Sequence, residues 1–319
     1  MPRPNTPSPL PCPGVPGEGE KSALPPYSIG IDIGGTSLKS VRVTDAGAVL
    51  SRETVAIDAS DPHWPRRVRE LVAEIERSAG SAAAVGVAAP GIARPDGRAI
   101  WWMQGRLVEV EELDWTAFLG RTEPVPVLND AQAALIGEAW LGAAAGCTNV
   151  FMLTLGTGVG GAAIVDGRLL RGNLGRAGHL GHICLDPAGP PDIVGTPGSL
   201  ETAIGNCTVA ARAGGRFTST LALAAAAAGG DKDAAAVWRR SIRALACGIA
   251  SLVNVLDPQI VVIGGGIAAA GVALFEPLGT ELDEMEWRPH GRRARVVPAE
   301  LGEFAGAIGA ARNAMNFMR

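Results

Sequence analysis

Three things are missing from this 319-residue sequence, and each absence removes a class of function. The five cysteines (Cys12, Cys147, Cys184, Cys207 and Cys247) are scattered, odd in number and never in C-x-x-C spacing. That speaks against a disulfide framework and a thiolate metal site, and it fits a reducing cytoplasm. No dense stripe of lysine and arginine occurs, and a formal net charge of -4 with a pI near 5.7 leaves no global positive field. A run of nucleic-acid phosphates would find nothing to neutralise it, so nucleic acid is not an expected partner. Long apolar runs are lacking as well. The stretch from Leu221 to Gly230 is alanine-rich and too short to span a bilayer, and the amino-terminal region carries no apolar core of a secretory signal. A cytoplasmic protein without a membrane anchor is expected.

What is present is enough apolar sequence, 47% of residues against 19% charged, to bury a large core and to build two lobes. The first 26 residues do not contribute. They hold Pro2, Pro4, Pro7, Pro9, Pro11, Pro13, Pro16, Pro25 and Pro26 with few large apolar residues, and read as a disordered tail. From Tyr27 the pattern changes. Residues 28–33 (SIGIDI) read as a buried strand, Gly34, Gly35 and Thr36 as a tight turn, 37–43 as an alternating strand, 45–47 as a turn and 48–55 as a third strand. A helix over 65–78, a strand over 83–88 and a turn at Pro90 and Gly91 follow.

The same opening recurs further on. Residues 150–155 read as a strand, 156–161 (GTGVGG) as a glycine turn, 162–165 as a strand, Asp166 and Gly167 as a turn and 168–170 as a strand. A third glycine turn, Gly264 to Gly266, follows a strand over 260–263, after a helix from about Ser241 to Leu256 that Asp257 and Pro258 close. Two similar lobes facing each other would set two phosphate-sized cradles across one cleft. Glycine allows that because backbone N–H groups can approach phosphate oxygens with no Cβ in the way, although any single glycine turn is equally a hairpin that needs positive φ.

Two aspartates stand at the ends of strands beside these turns. Asp32 precedes Gly34; it either bonds its own backbone as a turn-initiating residue or faces a bound phosphate, with Mg²⁺ relieving the repulsion. Asn129 and Asp130 follow a strand over 125–128 and precede a helix running to about Ala144. They can cap that helix, and Asp130 can accept the proton of an attacking hydroxyl.

In order and spacing, the runs IDIGGT (31–36), LND (128–130), LGTGVGG (155–161), GH (181–182), GSLE (198–201) and LDPQIVVIGGG (256–266) resemble the ROK family of sugar kinases and repressors. The resemblance covers the chain from Ser28 onward. It implies an α/β actin-like ATPase fold with duplicated mixed sheets, a small lobe over 27–128 with 304–319, and a large lobe over 129–303. It further implies ATP and Mg²⁺ as cofactors, a sugar-like small molecule as substrate and a homodimer. By the same resemblance Asp32, Gly34, Gly35 and Thr36 form the first phosphate motif, with Asp32 meeting Mg²⁺ through the phosphates. Thr157 and Gly158 belong to the second motif, and Gly265 and Gly266 lie against adenosine. Asp130 is the implied base, and Gly91, Asn129, His179, His182 and Glu201 fall where the family holds sugar hydroxyls. Glu201 could instead serve only the positive end of a helix.

The chain also departs from the pattern. His179 stands where the family carries a glutamate, so an imidazole with one donor and one acceptor replaces a carboxylate. Residues 101–105 (WWMQG) replace an Asn-Leu-Pro-Gly-Trp-like stretch, and the two tryptophans read either as sugar-stacking or as core. The family's structural zinc takes one His and three Cys, but Asp192, Val194 and Ser199 occupy the thiolate positions. No structural zinc is expected, and a metal on His179 and His182 with Cys184 or Asp186 is the disfavoured rival. Segment 183–198 is then left to packing and its prolines. The expected activity is ATP-dependent phosphorylation of a hexose, amino sugar or cyclic polyol. The alternatives are a sugar-sensing regulator, for which no helix-turn-helix precedes the first motif, a non-catalytic homologue, and polyphosphate as donor.

Overall fold

The structure is a computed structural model that describes residues 25–105 and 107–318; the proline-rich tail expected over 1–26 lies, but for Pro25 and Pro26, outside the described residues. The first half of the chain builds strands β1 (Tyr27–Ile33), β2 (Ser37–Thr44), β3 (Val49–Ala56) and β4 (Ala84–Ala89), a small hairpin of β5 (Ile92–Ala93) and β6 (Ile100–Trp102), and β7 (Val127–Asn129). Its helices are α1 (Pro65–Ala79), α2 (Trp115–Leu119) and α3 (Asp130–Leu141). The second half supplies β8 (Val150–Leu155), β9 (Val159–Val165), β10 (Arg168–Leu169), β11 (Ile260–Gly264) and β12 (Arg295–Pro298). Its helices are α4 (Leu200–Ile204), α5 (Val209–Arg212), α6 (Thr220–Ala228), α7 (Lys232–Leu256), α8 (Val272–Met285) and α9 (Ala305–Phe317).

The expected duplication is explicit in the sheets. One runs β3-β2-β1-β4-β7 and the other β10-β9-β8-β11-β12. In each, an antiparallel meander of three strands is extended on its far side by two parallel strands. Each parallel step needs a crossover: α1 lies on the one from β1 to β4 and the long α7 on the one from β8 to β11, while the β5–β6 hairpin with α2 leads from β4 to β7 and α8 from β11 to β12. One apolar cluster fills the first half around Ile31, Leu71, Val87 and Trp115, and a second fills the other half around Phe151, Leu245, Ile249 and Val261.

The terminal helix of each repeat crosses to the other. Helix α9, which follows β12, packs on β1 and β4, while α3, which follows β7, packs on β8 and β9, and the two helices lie against each other. That crossing needs a seam without side chains. A Cβ on Gly30 or Gly86 would stand 1.8 or 2.1 Å from carbonyl oxygens of α9, and one on Gly309 would stand 1.7 Å from the carbonyl oxygen of Ala133 in α3.

Several boundaries differ from expectation. The strand expected over 125–128 is Val127–Asn129, because Pro126 has no N–H for a ladder. Helix α3 stops at Leu141 rather than Ala144, since Gly142 is extended and the Glu138 carboxylate takes the N–H of Ala143. Helix α7 starts nine residues before the expected Ser241, at Lys232, where the Asp231 side chain accepts from Ala234 N–H; alanines in its first turns blurred the periodicity. Within the glycine run 156–161, β9 already begins at Val159. The four described cysteines are free, and no helix among the described residues is long and apolar enough to cross a membrane.

Since the α3/α9 seam admits no side chain, Gly309→Ala is expected to lower the unfolding free energy by about 3 kcal/mol in urea titrations. Gly279→Ala on α8, where a Cβ meets nothing within 4 Å, is the control and should be neutral or more stable by up to about 1 kcal/mol. Equal stabilities for the two variants would show that the seam yields freely.

Candidate active site

Between the two halves lie two adjoining cavities. The larger, 930 Å³, is lined by Gly91, Trp101, Trp102, Met103, Asn129, Asp130, Thr157, Gly158, Arg176, His179, His182, Glu201 and Gly265, among others. The smaller, 590 Å³, is lined by Asp32, Asp130, Thr154, Gly264, Gly265, Gly266 and the first turn of α9. Asp130, Thr154 and Gly265 border both. Asp130 therefore stands at the junction, with one space on each side.

Asp130 is the first residue of α3. The preceding Asn129 caps that helix, its Oδ1 accepting from Ala131 and Gln132 N–H at 3.0 and 3.4 Å, while its Nδ2 donates to Gly91 O at 2.9 Å. The buried Asn129 thus ties the Gly91 turn to the helix and keeps one N–H free for a ligand. Asp130 remains open to the cleft. Its packing at the cleft floor pushes its pKa up, against a hydrogen bond from Ala131 N–H that favours the anion. Water in the open cleft tempers that push, and closure would strengthen it.

Asp32, at the end of β1, lies against Gly306 in the first turn of α9, where a Cβ would meet its Oδ2 at 2.6 Å. Burial first, and then the nearby negative charge of Asp130, raise its pKa to about 7, with Lys39 pulling the other way. Lys39 is directly across the β1–β2 ladder from Asp32. With Glu303 also on its lining, the smaller cavity carries three carboxyl groups and, among the described residues, no lysine or arginine.

The glycine turns fall into two groups. Thr157 and Gly158 line the larger cavity, and Gly265 and Gly266 line the smaller. Gly265 has φ +83° and would press a Cβ to 2.4 Å from Leu155 O, so no other residue fits there. Gly34, Gly35 and Thr36 form the β1–β2 hairpin beside Asp32 but line neither cavity; Gly34 N–H closes the turn on Ser37 O at 2.9 Å. The second glycine turn is braced from behind: Asn206 and Cys207 donate to Gly156 O and Thr157 O at 3.0 and 2.8 Å, and Glu201 Oε2 accepts from Val159 N–H at 3.0 Å. Glu201 sits in the first turn of α4 and also lines the cavity, so one residue occupies the helix end and the cavity surface.

On the opposite wall, His182 Nδ1 is bonded to Asp192 Oδ2 at 2.8 Å. Asp192 Oδ1 accepts from Val194 and Thr196 N–H at 3.0 and 2.9 Å. Burial would raise this carboxyl, but His182, Thr196, Ser199 and Val194 together hold it below the ordinary value. His182, Asp192 and Glu201 offer oxygen and nitrogen atoms within 4.8 Å of one another, a different set from the rival metal ligands considered above. The His182–Asp192 contact and the turn it closes already occupy most of that capacity, so segment 183–198 is held by a carboxylate and not by prolines alone. His179 lines the same wall. Its Nε2 is buried with no partner, and burial followed by His182 lowers its pKa, keeping the ring neutral.

Sequence reasoning overlooked Thr154, whose signal was a lone polar residue in the apolar strand VFMLTL, and Lys39, which shares a strand face with Ser37. It left Trp101 and Trp102 between core and ligand. Both line the larger cavity, and Trp102 is exposed.

Known proteins share this sequence pattern and this fold. The sequence model of the ROK family matches residues 28–316. The chain is 32% identical over 306 residues to a glucokinase of Thermotoga maritima, covering 89% of this chain and 95% of that one. It is also 32% identical over 291 residues to an N-acetylmannosamine kinase of Escherichia fergusonii, covering 89% and 97%. A ROK family glucokinase of Streptomyces griseus, crystallised with glucose and AMPPNP, superposes with a TM-score of 0.74 at 28% identity, covering 91% of this chain and 99% of that one.

Two outcomes are expected. The folded protein holds a proton on Asp32 up to about pH 7, whereas the unfolded chain releases it near 3.8. The unfolded state thus binds fewer protons in that window, and the contribution of Asp32 to stability, whole below pH 4, disappears as pH rises through 7. With chelator present, Asp32→Asn should match the parent at pH 4 and exceed it by about 2–4 kcal/mol at pH 8; parallel pH curves for the two would refute the raised pKa. Elemental analysis of the purified protein is expected to find well under one zinc per chain, and a stoichiometric ion would overturn the carboxylate-held turn.

Proposed function

The chain belongs to the ROK family, and on that premise we propose that it transfers the terminal phosphoryl group of ATP to a hydroxyl of a hexose, amino sugar or related cyclic polyol, with Asp130 as the general base. The single observation that carries this reading is the position of Asp130 on the wall shared by both cavities. A hydroxyl in the larger space and a terminal phosphate approaching from the smaller one would meet at its carboxylate.

In this reading Asn129, His179, His182 and Glu201 hold the ring hydroxyls, and Gly91 sets the angle of Asn129. Thr157 and Gly158 receive phosphate oxygens, and Gly265 and Gly266 give the nucleotide a surface free of side chains. The raised pKa of Asp130 suits a base that must take a hydroxyl proton as the oxygen attacks. Nothing else on this chain needs to react covalently, since phosphoryl transfer depends on alignment and charge compensation.

The carboxylates of Asp32 and Asp130 fit a hard cation: burial and mutual repulsion push Asp32 toward its neutral form, and a positive charge would reverse that. Asp32 would hold Mg²⁺ through the phosphates of ATP, where the ion supplies charge neutralisation. We take residues 27–128 with 304–319 as one lobe and 129–303 as the other, closing on the two substrates, in a homodimeric cytoplasmic enzyme.

Asp130→Asn keeps the helix cap on Asn129 and is expected to lower kcat by at least about a thousandfold in a coupled ADP-release assay. Its melting temperature should still rise on adding ATP. Retention of most of the rate would remove Asp130 from the chemistry.

A further inference from the structure

We propose that the acceptor is a sugar or cyclitol bearing an uncharged apolar substituent, which rests on a shelf formed by Trp101, Trp102, Met103, Leu174, Ile193 and Val194; this rests on the sugar-kinase reading and narrows its substrate class. All six residues line the 930 Å³ cavity that Asp130 borders. Exposed large apolar side chains are ordinarily scattered, and a contiguous group beside a cleft marks a binding surface. Here Trp102, Leu174, Ile193 and Val194 are all exposed, Ile193 at 64%, and all four line the same cavity.

The shelf is constructed from three separate segments, each fixed in place. Trp101 Nε1 donates to Leu174 O at 2.8 Å, joining the end of β6 to the 171–178 loop. Arg171 donates to Pro95 O at 3.0 Å and secures the same junction. Ile193 and Val194 ride on the turn whose closing bonds are Asp192 N–H to Thr196 O at 2.9 Å and Gly195 N–H to Asp192 O at 3.0 Å, the turn that His182 anchors. These bonds fix the segments that carry the shelf residues on the cavity lining.

A free hexose leaves the shelf bare. Its hydroxyls suit Asn129, Asp130, His179, His182 and Glu201, but they would meet indole and aliphatic carbon on the rest of the lining at a desolvation cost. A cavity of 930 Å³ also lies at the upper end of what a drug-sized ligand fills, roughly 300–1,000 Å³, and is larger than one ring and a terminal phosphate require. His179 has an unpartnered Nε2 and a pKa lowered by burial, and among the described residues of this lining Arg176 is the one permanent cation, so the apolar shelf itself suits an uncharged group.

The test is ADP release measured on matched acceptors: glucose with its methyl, butyl and phenyl glycosides, and N-acetylmannosamine with its N-butanoyl and N-hexanoyl counterparts. In at least one series kcat/KM should climb about tenfold or more from the smallest to the largest substituent, mainly through KM. In Trp102→Ala and Ile193→Ser, both at exposed positions, the ratio of substituted to parent sugar should fall towards one. Flat or declining values in both series, with the free sugars turned over, would overturn the shelf while leaving the kinase reading intact. A carboxyphenyl glycoside outperforming the phenyl glycoside would assign the wall to Arg176 and overturn it too. ADP release from no sugar at all would sink both readings.

Discussion

The site depends on how closely the backbones of α3 and α9 can approach. Gly137 and Gly309 leave no side chains where these helices meet; a Cβ on Gly137 would stand 2.5 Å from Ala305 O, and one on Gly309 nearer still to Ala133 O. Because each helix belongs by sequence to one repeat and packs on the sheet of the other, this contact holds the two halves together. It also places the carboxylates. Asp130 begins α3, and the first turn of α9 lies against Asp32. The buried Glu138 reinforces the seam by accepting the N–H groups of Glu300 and Leu301, just before α9, at 3.0 and 2.8 Å. A carboxyl group buried in this way needs its oxygens satisfied, and three backbone N–H groups, of Ala143, Glu300 and Leu301, satisfy them.

Bringing two carboxylates into one cleft is unfavourable in the empty protein, and that is what makes the arrangement selective. Asp32 relieves the strain by holding a proton; a cation carried in with a polyphosphate relieves it better. In the proposed reading, electrostatics would tie nucleotide affinity to the metal that accompanies it. The rest of the cleft follows the same economy. Glu201 braces Val159 N–H with one oxygen, His182 holds the Asp192 carboxylate through Nδ1, and Asn129 ties the Gly91 turn to α3, yet all three residues also line the cavity. Groups held in this manner lose little freedom when a ligand arrives.

Much of this was legible in the sequence because it depends on local rules. Strand, glycine corner and strand recur at 28–43 and 150–165, and the two sheets repeat that order strand for strand. The positions of Asp32 and Asp130 followed from the strands they end. Less legible were features set by contacts distant in sequence. Nothing local shows that Gly309 must face Ala133, or that Glu138 reaches residues 300 and 301. Helix α7 lost its first turns to an alanine run whose burial only the neighbouring helices decide. The hairpin at 34–36 looked like a cavity wall by its glycines but stands beside the cavity, since wall membership depends on how the other half is placed.

The turn at 192–196 shows how a missing ligand set can be made good by ordinary hydrogen bonds. A metal would fix several chain points at once through strong, directional bonds. Asp192 reaches a similar end by accepting from one imidazole and two backbone N–H groups, all within 3.0 Å. The substitution is not neutral for the site. A zinc ligand would be withdrawn from the cavity surface into a coordination shell, whereas His182 keeps its ring on the lining and carries the turn with it. Ile193 and Val194, carried on this turn, line the cavity. In the proposed reading, the carboxylate at 192 and the apolar wall beside it belong together, since the turn that Asp192 closes is the one that carries Ile193 and Val194.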